Sequence, residues 1–204
     1  MKLCQPRAIL DSVKVVAVAF VLLSLTSSAC ASKASPKSSV PASVLRAYLV
    51  DLGGAYNSYV RASREIAARR DALLPEGPRW AELAGTLKAS ATRHDRIALE
   101  MEQISPPSAL RVAHQNMVKS VRMEAQSYRR LASALGATAA AIASGNNAKL
   151  DAAFQRSDEA LTVASDRWLK AAELRVGWKR QVLRAAKAAA VQAPSWVPNV
   201  ESSQ

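Results

Sequence analysis

From residue 44 onward, one face of the chain turns apolar every three or four positions, and that rhythm stops only three times before the C-terminal tail. Leu45, Leu49, Leu52, Tyr56, Tyr59, Ser63, Ile66, Arg70 and Leu73 make the first run, which ends at LPEGP. Trp80, Leu83, Leu87, Ser90, His94, Ile97, Met101 and Ile104 make the second, ending at SPP. The third passes through Leu110, His114, Met117, Val121, Glu124, Tyr128, Leu131, Leu135, Thr138 and Ile142 to SGNN. The fourth runs from Leu150 through Phe154, Ser157, Leu161, Ala164, Trp168, Ala171, Arg175 and Trp178 to Val182. Alternating steps of four and three place these residues along one seam of a packed helix. Breaks of three to five residues force consecutive helices to run antiparallel. The predicted fold is therefore all-α, an up-down-up-down four-helix bundle.

Composition agrees. Aromatic residues are 5% of the chain and there are only seven glycines. Abundant alanine and arginine favour helix, because neither loses much side-chain freedom there. Gly145 suits the left-handed position after a helix, and Asn146 or Asn147 suits the cap of the next. The fourth run continues through LRAAKAAAVQA past the level where the third begins. The tail, PSWVPNVESSQ, is broken by prolines and predicted irregular; folding back of Trp196 on the bundle end is open to it but not fixed by the sequence.

The first thirty residues belong to another kind of sequence. Lys2, Arg7 and Lys14 precede VVAVAFVLLSL, eleven uncharged and strongly apolar residues, and then TSSAC. A basic start, a short apolar core and small residues describe an export signal. The uncharged run ends in Ser, Thr, Ala and Cys, too short and too polar to span a bilayer comfortably. The stretch LTSSAC resembles the lipobox of bacterial lipoproteins, with Ser28 and Ala29 ahead of Cys30. Ser27 stands where that family usually has leucine, and ordinary signal-peptidase cleavage after Ala29 or Ala31 is the alternative. The resemblance implies that Cys30 becomes the lipidated first residue. Cysteine usage fits it: Cys4 lies within the signal, so the mature chain keeps one thiol and can form no internal disulfide. The segment after Cys30, ASKASPKSSVPAS, has little to bury and reads as a flexible tether. The expected organisation is a signal peptide at 1–29, lipidated Cys30 and tether at 30–43, the bundle at 44–192 and the tail at 193–204. That places the chain outside the cytoplasm, lipid-anchored at a cell membrane or outer membrane.

Both histidines fall on seams. Folding the second and third runs back about residue 107 sets His114 level with Met101, and His94 level with Ser120 or Val121. The two histidines are then about 9 Å apart along the axis, too far to share one ion. His114 with Met101 is a ligand pair that haem or copper accepts. The competing reading is packing: folding at residue 145 brings Trp178, and close approach at Gly177, to His114, while folding at residue 76 brings Tyr59 to His94. Packing is the favoured reading, so no cofactor is expected; haem or copper on His114 and Met101 is the alternative. Di-iron bundles need Glu-x-x-His, but Ala91 and Arg111 stand three before the histidines. No CxxCH, HExxH, glycine-rich phosphate loop or GxSxG elbow occurs. Glu124 and Arg167 project to one level and are expected to form a partly buried ion pair, a registry device rather than a catalytic dyad. The chain is expected not to be an enzyme.

Charge carries the remaining signal. The whole chain has 28 basic and 16 acidic residues, and removing the first 29 leaves 25 and 15. The excess concentrates in the third and fourth runs. Arg122, Arg129, Arg130, Lys179, Arg180 and Arg184 are the candidate residues of one basic face. Such a face would attract anionic lipid, an anionic wall polymer or an acidic envelope protein; export removes nucleic acid from consideration. The body also resembles uncharacterised helical-bundle lipoproteins of bacteria in which a Pro-Pro turn precedes a leucine and, four residues on, a histidine, here Pro106, Pro107, Leu110 and His114. That resemblance implies location and fold, and brings no activity.

Overall fold

The computed structural model describes residues 40–73 and 79–197. The export signal, Cys30 and most of the tether lie outside these residues, as do the break at 74–78 and the end of the tail. Four α-helices follow one another among the described residues: α1 Ala42–Leu73, α2 Trp80–Glu102, α3 Arg111–Ser144 and α4 Asn147–Ala188. A single 3₁₀ turn, Ser108–Leu110, leads into α3. Among the described residues there is no strand, and the protein is an all-α four-helix bundle. No helix among them is long and apolar enough to cross a membrane.

Local chemistry sets the helix ends. Pro106 and Pro107 cannot extend α2, whose last carbonyls are picked up by the turn: Gln103 N–H donates to Leu99 O and Ile104 N–H to Met101 O. Gly145 takes φ +63° after α3, and Asn146 Oδ1 accepts from Lys149 N at 3.0 Å to open α4. Past α4, Ala190 adopts φ +51° while Val191 N–H reaches back to Ala186 O at 2.9 Å. This left-handed stop, made by a residue with a Cβ, turns the tail back toward α1.

Consecutive helices pack antiparallel. His114 meets the backbone of Met101 and Arg129 meets Asp95 across α2 and α3; Thr138 meets Ser157 and Glu124 meets Arg175 across α3 and α4. The backbones of α3 and α4 run close along their length, whereas those of α1 and α4 stay apart. The reason lies in the side chains between them. Buried positions of α4 are Ala153, Ala160, Ala164 and Ala171 along its first two thirds, then Trp178, Val182 and Ala186. Alanines let α3 approach, while the α1 side of the seam holds Tyr48, Tyr56 and Tyr59.

Two core clusters result. One, nearer the Pro-Pro turn, joins Leu45, Tyr48, Leu52, Tyr56, Met101, Met117, Trp178 and their neighbours. The other joins Ile66, Leu87, Ala91, Tyr128, Leu131, Leu135, Ala160 and Ala164. The tail does fold back. Trp196 lies against Tyr56 and Trp178, with ring centroids 5.0 and 6.4 Å away, and Val197 is buried beside it. Gly53 makes room for that ring, since a Cβ there would sit 3.2 Å from Trp196 Nε1. Gly177 has no such role: the space its Cβ would take is open, so the close approach expected there is not what the glycine serves.

Candidate functional site

A polar centre lies between the two clusters, and each helix contributes one side chain to it. Tyr59 comes from α1, His94 from α2, Glu124 from α3 and Arg175 from α4, all four on the seams that periodicity marks out. Glu124 Oε1 accepts from the Tyr59 hydroxyl at 3.1 Å and from the Arg175 guanidinium. Arg175 also lies over the Tyr59 ring, 5.5 Å from its centroid. Burial lowers the affinity of Arg175 for its proton, but Glu124 and the tyrosines outweigh that and leave it raised. Burial, with Glu124 adding to it, pushes the Tyr59 hydroxyl far above its ordinary value, so it stays a donor.

The expected Glu124–Arg167 pair is thus replaced by Glu124–Arg175, two turns farther along α4. Side chains lean toward the N-terminus of their own helix. In α3 that direction points away from the Gly145 turn, and in α4 it points toward it. A long α4 side chain therefore meets α3 from well beyond its own backbone level. The same lean moves His94 from the expected Ser120–Val121 level to Glu124 and Tyr128.

His94 is wholly buried. Its Nδ1 lies 2.8 Å from Ser90 O, an acceptor only, so Nδ1 carries the proton. Nε2 has no hydrogen-bond partner among the described residues and faces Glu124 Oε2 at 3.6 Å. The ring is held edgewise by Tyr59 and Tyr128, at 5.8 and 5.1 Å between centroids. Burial pulls His94 below its usual value, against the opposing pull of Glu124. At neutral pH it is an uncharged ring turning a lone pair toward a carboxylate.

His114 is placed differently. Its Nε2 donates to Met101 O at 3.0 Å, tying the start of α3 to the last turn of α2. Its Nδ1 accepts from the Tyr48 hydroxyl at 3.1 Å, and that oxygen accepts from Trp178 Nε1 at 3.4 Å. The shared level of His114 and Met101 is real, and Trp178 is close, with Tyr48 inserted between it and the histidine. Burial lowers His114 too, and pushes Tyr48 up to about 12. With both ring nitrogens occupied, ligation of haem or copper by His114 would require release of Tyr48 or of the α2 carbonyl. Among the described residues no group of three or more His, Cys, Asp or Glu side chains is gathered as for a metal ion.

The six basic-face residues do not form one set. Arg122 pairs with Glu102 and Arg129 with Asp95, both bridging α3 to α2. Lys179 is half-buried, and burial followed by nearby Arg175 lowers its proton affinity. Arg130, Arg180 and Arg184 are exposed. A groove of about 660 Å³ opens at the Pro-Pro turn between the end of α2 and the first turns of α3, with Arg111, Lys119 and Arg122 on its rim. Sequence reasoning singled out Pro106, His114 and Arg122 without placing them in one groove, and it missed Tyr48. The chain matches no protein-family model, no curated protein and no solved structure.

Proposed function

We propose that this chain is a membrane-tethered, non-enzymatic bundle of the cell envelope, anchored through a lipid on Cys30, that holds an anionic lipid surface with cations of α3 and α4. The observation that carries this reading is the isolation of Arg130, Arg180 and Arg184. All three are exposed, and none has an ion-pair partner among the described residues. Charges already paired, such as Arg122 and Arg129, contribute little net attraction, whereas unpaired ones act at full strength within a Debye length of ~8 Å.

The test follows from that distinction. With the anchor removed by Cys30→Ala, the triple variant Arg130→Glu, Arg180→Glu, Arg184→Glu should lose retention on vesicles containing anionic lipid while keeping its helical signal and melting point. Unchanged retention would contradict the proposal; binding to isolated wall polymer in place of vesicles would redirect it. For the anchor, labelled palmitate should enter the wild-type chain and not Cys30→Ala.

A further inference from the structure

The groove at the Pro-Pro turn is built from two kinds of wall. Ile104, Pro106 and buried Val118 line it on the apolar side. Arg111, Gln115 and Lys119, four residues apart on α3, form a polar stripe that runs beside Val118. Arg111 and Lys119 stand about 12 Å apart along the axis, and both bring long, charged side chains to the groove. Neither has an ion-pair partner among the described residues. Among the described residues the one carboxylate in the groove, Glu102, is held by Arg122. Three cations against one neutralised acid leave a net charge of two to be matched. Among the described residues no side chain caps Pro107 or Leu110, and the first turn of α3 has no acid.

We infer that this groove is a binding site for a phosphate monoester carrying an apolar substituent, its phosphate between Arg111 and Lys119 and its chain along Ile104, Pro106 and Val118. The inference rests on the reading of the bundle as a binder of anionic partners, and it names a discrete site in place of a diffuse face. Guanidinium and ammonium together suit a doubly charged phosphate, the first by paired hydrogen bonds and the second as a point charge. Glu102 opposes the ligand and is restrained by Arg122. Removing its charge should therefore strengthen binding.

The protein, purified from its native membrane into nanodiscs of neutral lipid, is titrated calorimetrically with hexyl phosphate and with inorganic phosphate, empty discs serving as blank. One equivalent of hexyl phosphate should bind, about tenfold or more tighter than inorganic phosphate. Arg111→Gln with Lys119→Gln should weaken it by about tenfold or more, and Glu102→Gln should tighten it several-fold, about threefold to fivefold. Because Glu102→Gln predicts a gain, failure of the double variant to fold does not shelter the site from test. Equal affinity for the two phosphates would overturn the apolar wall. Hexyl phosphate binding that ignores all three substitutions would overturn the groove. The Arg130, Arg180, Arg184 variant separates the levels: it should keep hexyl phosphate binding, and with the anchor removed by Cys30→Ala it should lose vesicles. Vesicle binding without hexyl phosphate binding would sink the groove alone, and absence of both would sink the broader reading.

Discussion

The half of the bundle nearer the Pro-Pro turn and the half beyond the polar centre solve the same packing problem in different ways. Near the turn, α1 and α4 stand apart and the gap is filled by Tyr48, Tyr56, Trp178 and Trp196, locked by a hydrogen-bonded series from Trp178 to the carbonyl of Met101. In the far half, α3 and α4 close on alanines, with Thr138 and Ser157 joined at 2.9 Å. Large rings fill a wide seam and make it depend on every polar atom finding its partner. Small residues fill a narrow seam and make it depend on nothing larger entering. α4 switches from one solution to the other within one helix, and the switch falls at Arg175.

That boundary is where the largest effect is expected. Glu124→Ala strands the Arg175 guanidinium in a site where its side chain is only 19% exposed, and should cost about 3–5 kcal/mol in chemical denaturation. Replacing the pair together, Glu124→Leu with Arg175→Met, should recover most of that loss. A double variant no better than the single one would show that the centre is more than a registry device.

The alanine half should fail by overfilling. Ala164→Leu, at a wholly buried position, is expected to destabilise by about 1–3 kcal/mol, while a half-exposed neighbour such as Val163→Leu should change little. The aromatic half should fail by loss of a hydroxyl. Tyr48→Phe keeps the ring but leaves His114 Nδ1 and Trp178 Nε1 unpartnered, for a loss of about 1–2 kcal/mol. If Ala164→Leu were neutral and Tyr48→Phe were too, the contrast between the halves would dissolve.

The smallest expected effect is on pH dependence. Burial lowers both His94 and His114 in the folded state, so the unfolded chain takes up protons first as the solution is acidified. The stability these rings contribute is complete above the ordinary histidine value, near 6.5, and declines as pH falls below it. Melting temperature should therefore drop between pH 7 and pH 5, and His94→Gln should flatten part of that slope. A melting temperature that rises on acidification would mean that Glu124 governs His94 more strongly than burial does.

The seams were legible because a repeat of three and four leaves apolar residues at fixed places regardless of partner. All four members of the polar centre lie on them, and Gly145 and Asn146 announced the last turn. Levels were less legible. Counting residues from a turn gives backbone height, whereas contacts form at side-chain tips, and the lean of long side chains carried Arg175 past Arg167. Tyr48 escaped because it flanks the seam at Leu45 and Leu49. Its signal was the second stripe Tyr48, Leu52, Ala55, Tyr59, Ala62 and Ile66, all buried, which widens the inner face of α1. The basic face was legible as a count of charges and not as a surface, because the sequence does not show that Glu102 and Asp95 stand across from Arg122 and Arg129.

The claim at the centre is that both histidines belong to the framework, leaving the outer cations and the groove to meet partners. Long-range proton–nitrogen correlation spectra of the imidazole side chains at pH 7 test it most directly. The expected spectrum has two neutral rings: His114 protonated on Nε2 and His94 protonated on Nδ1. A His114 with a bare Nε2, or with the shifts of a metal-bound nitrogen, would contradict it and return the histidines to the search for chemistry.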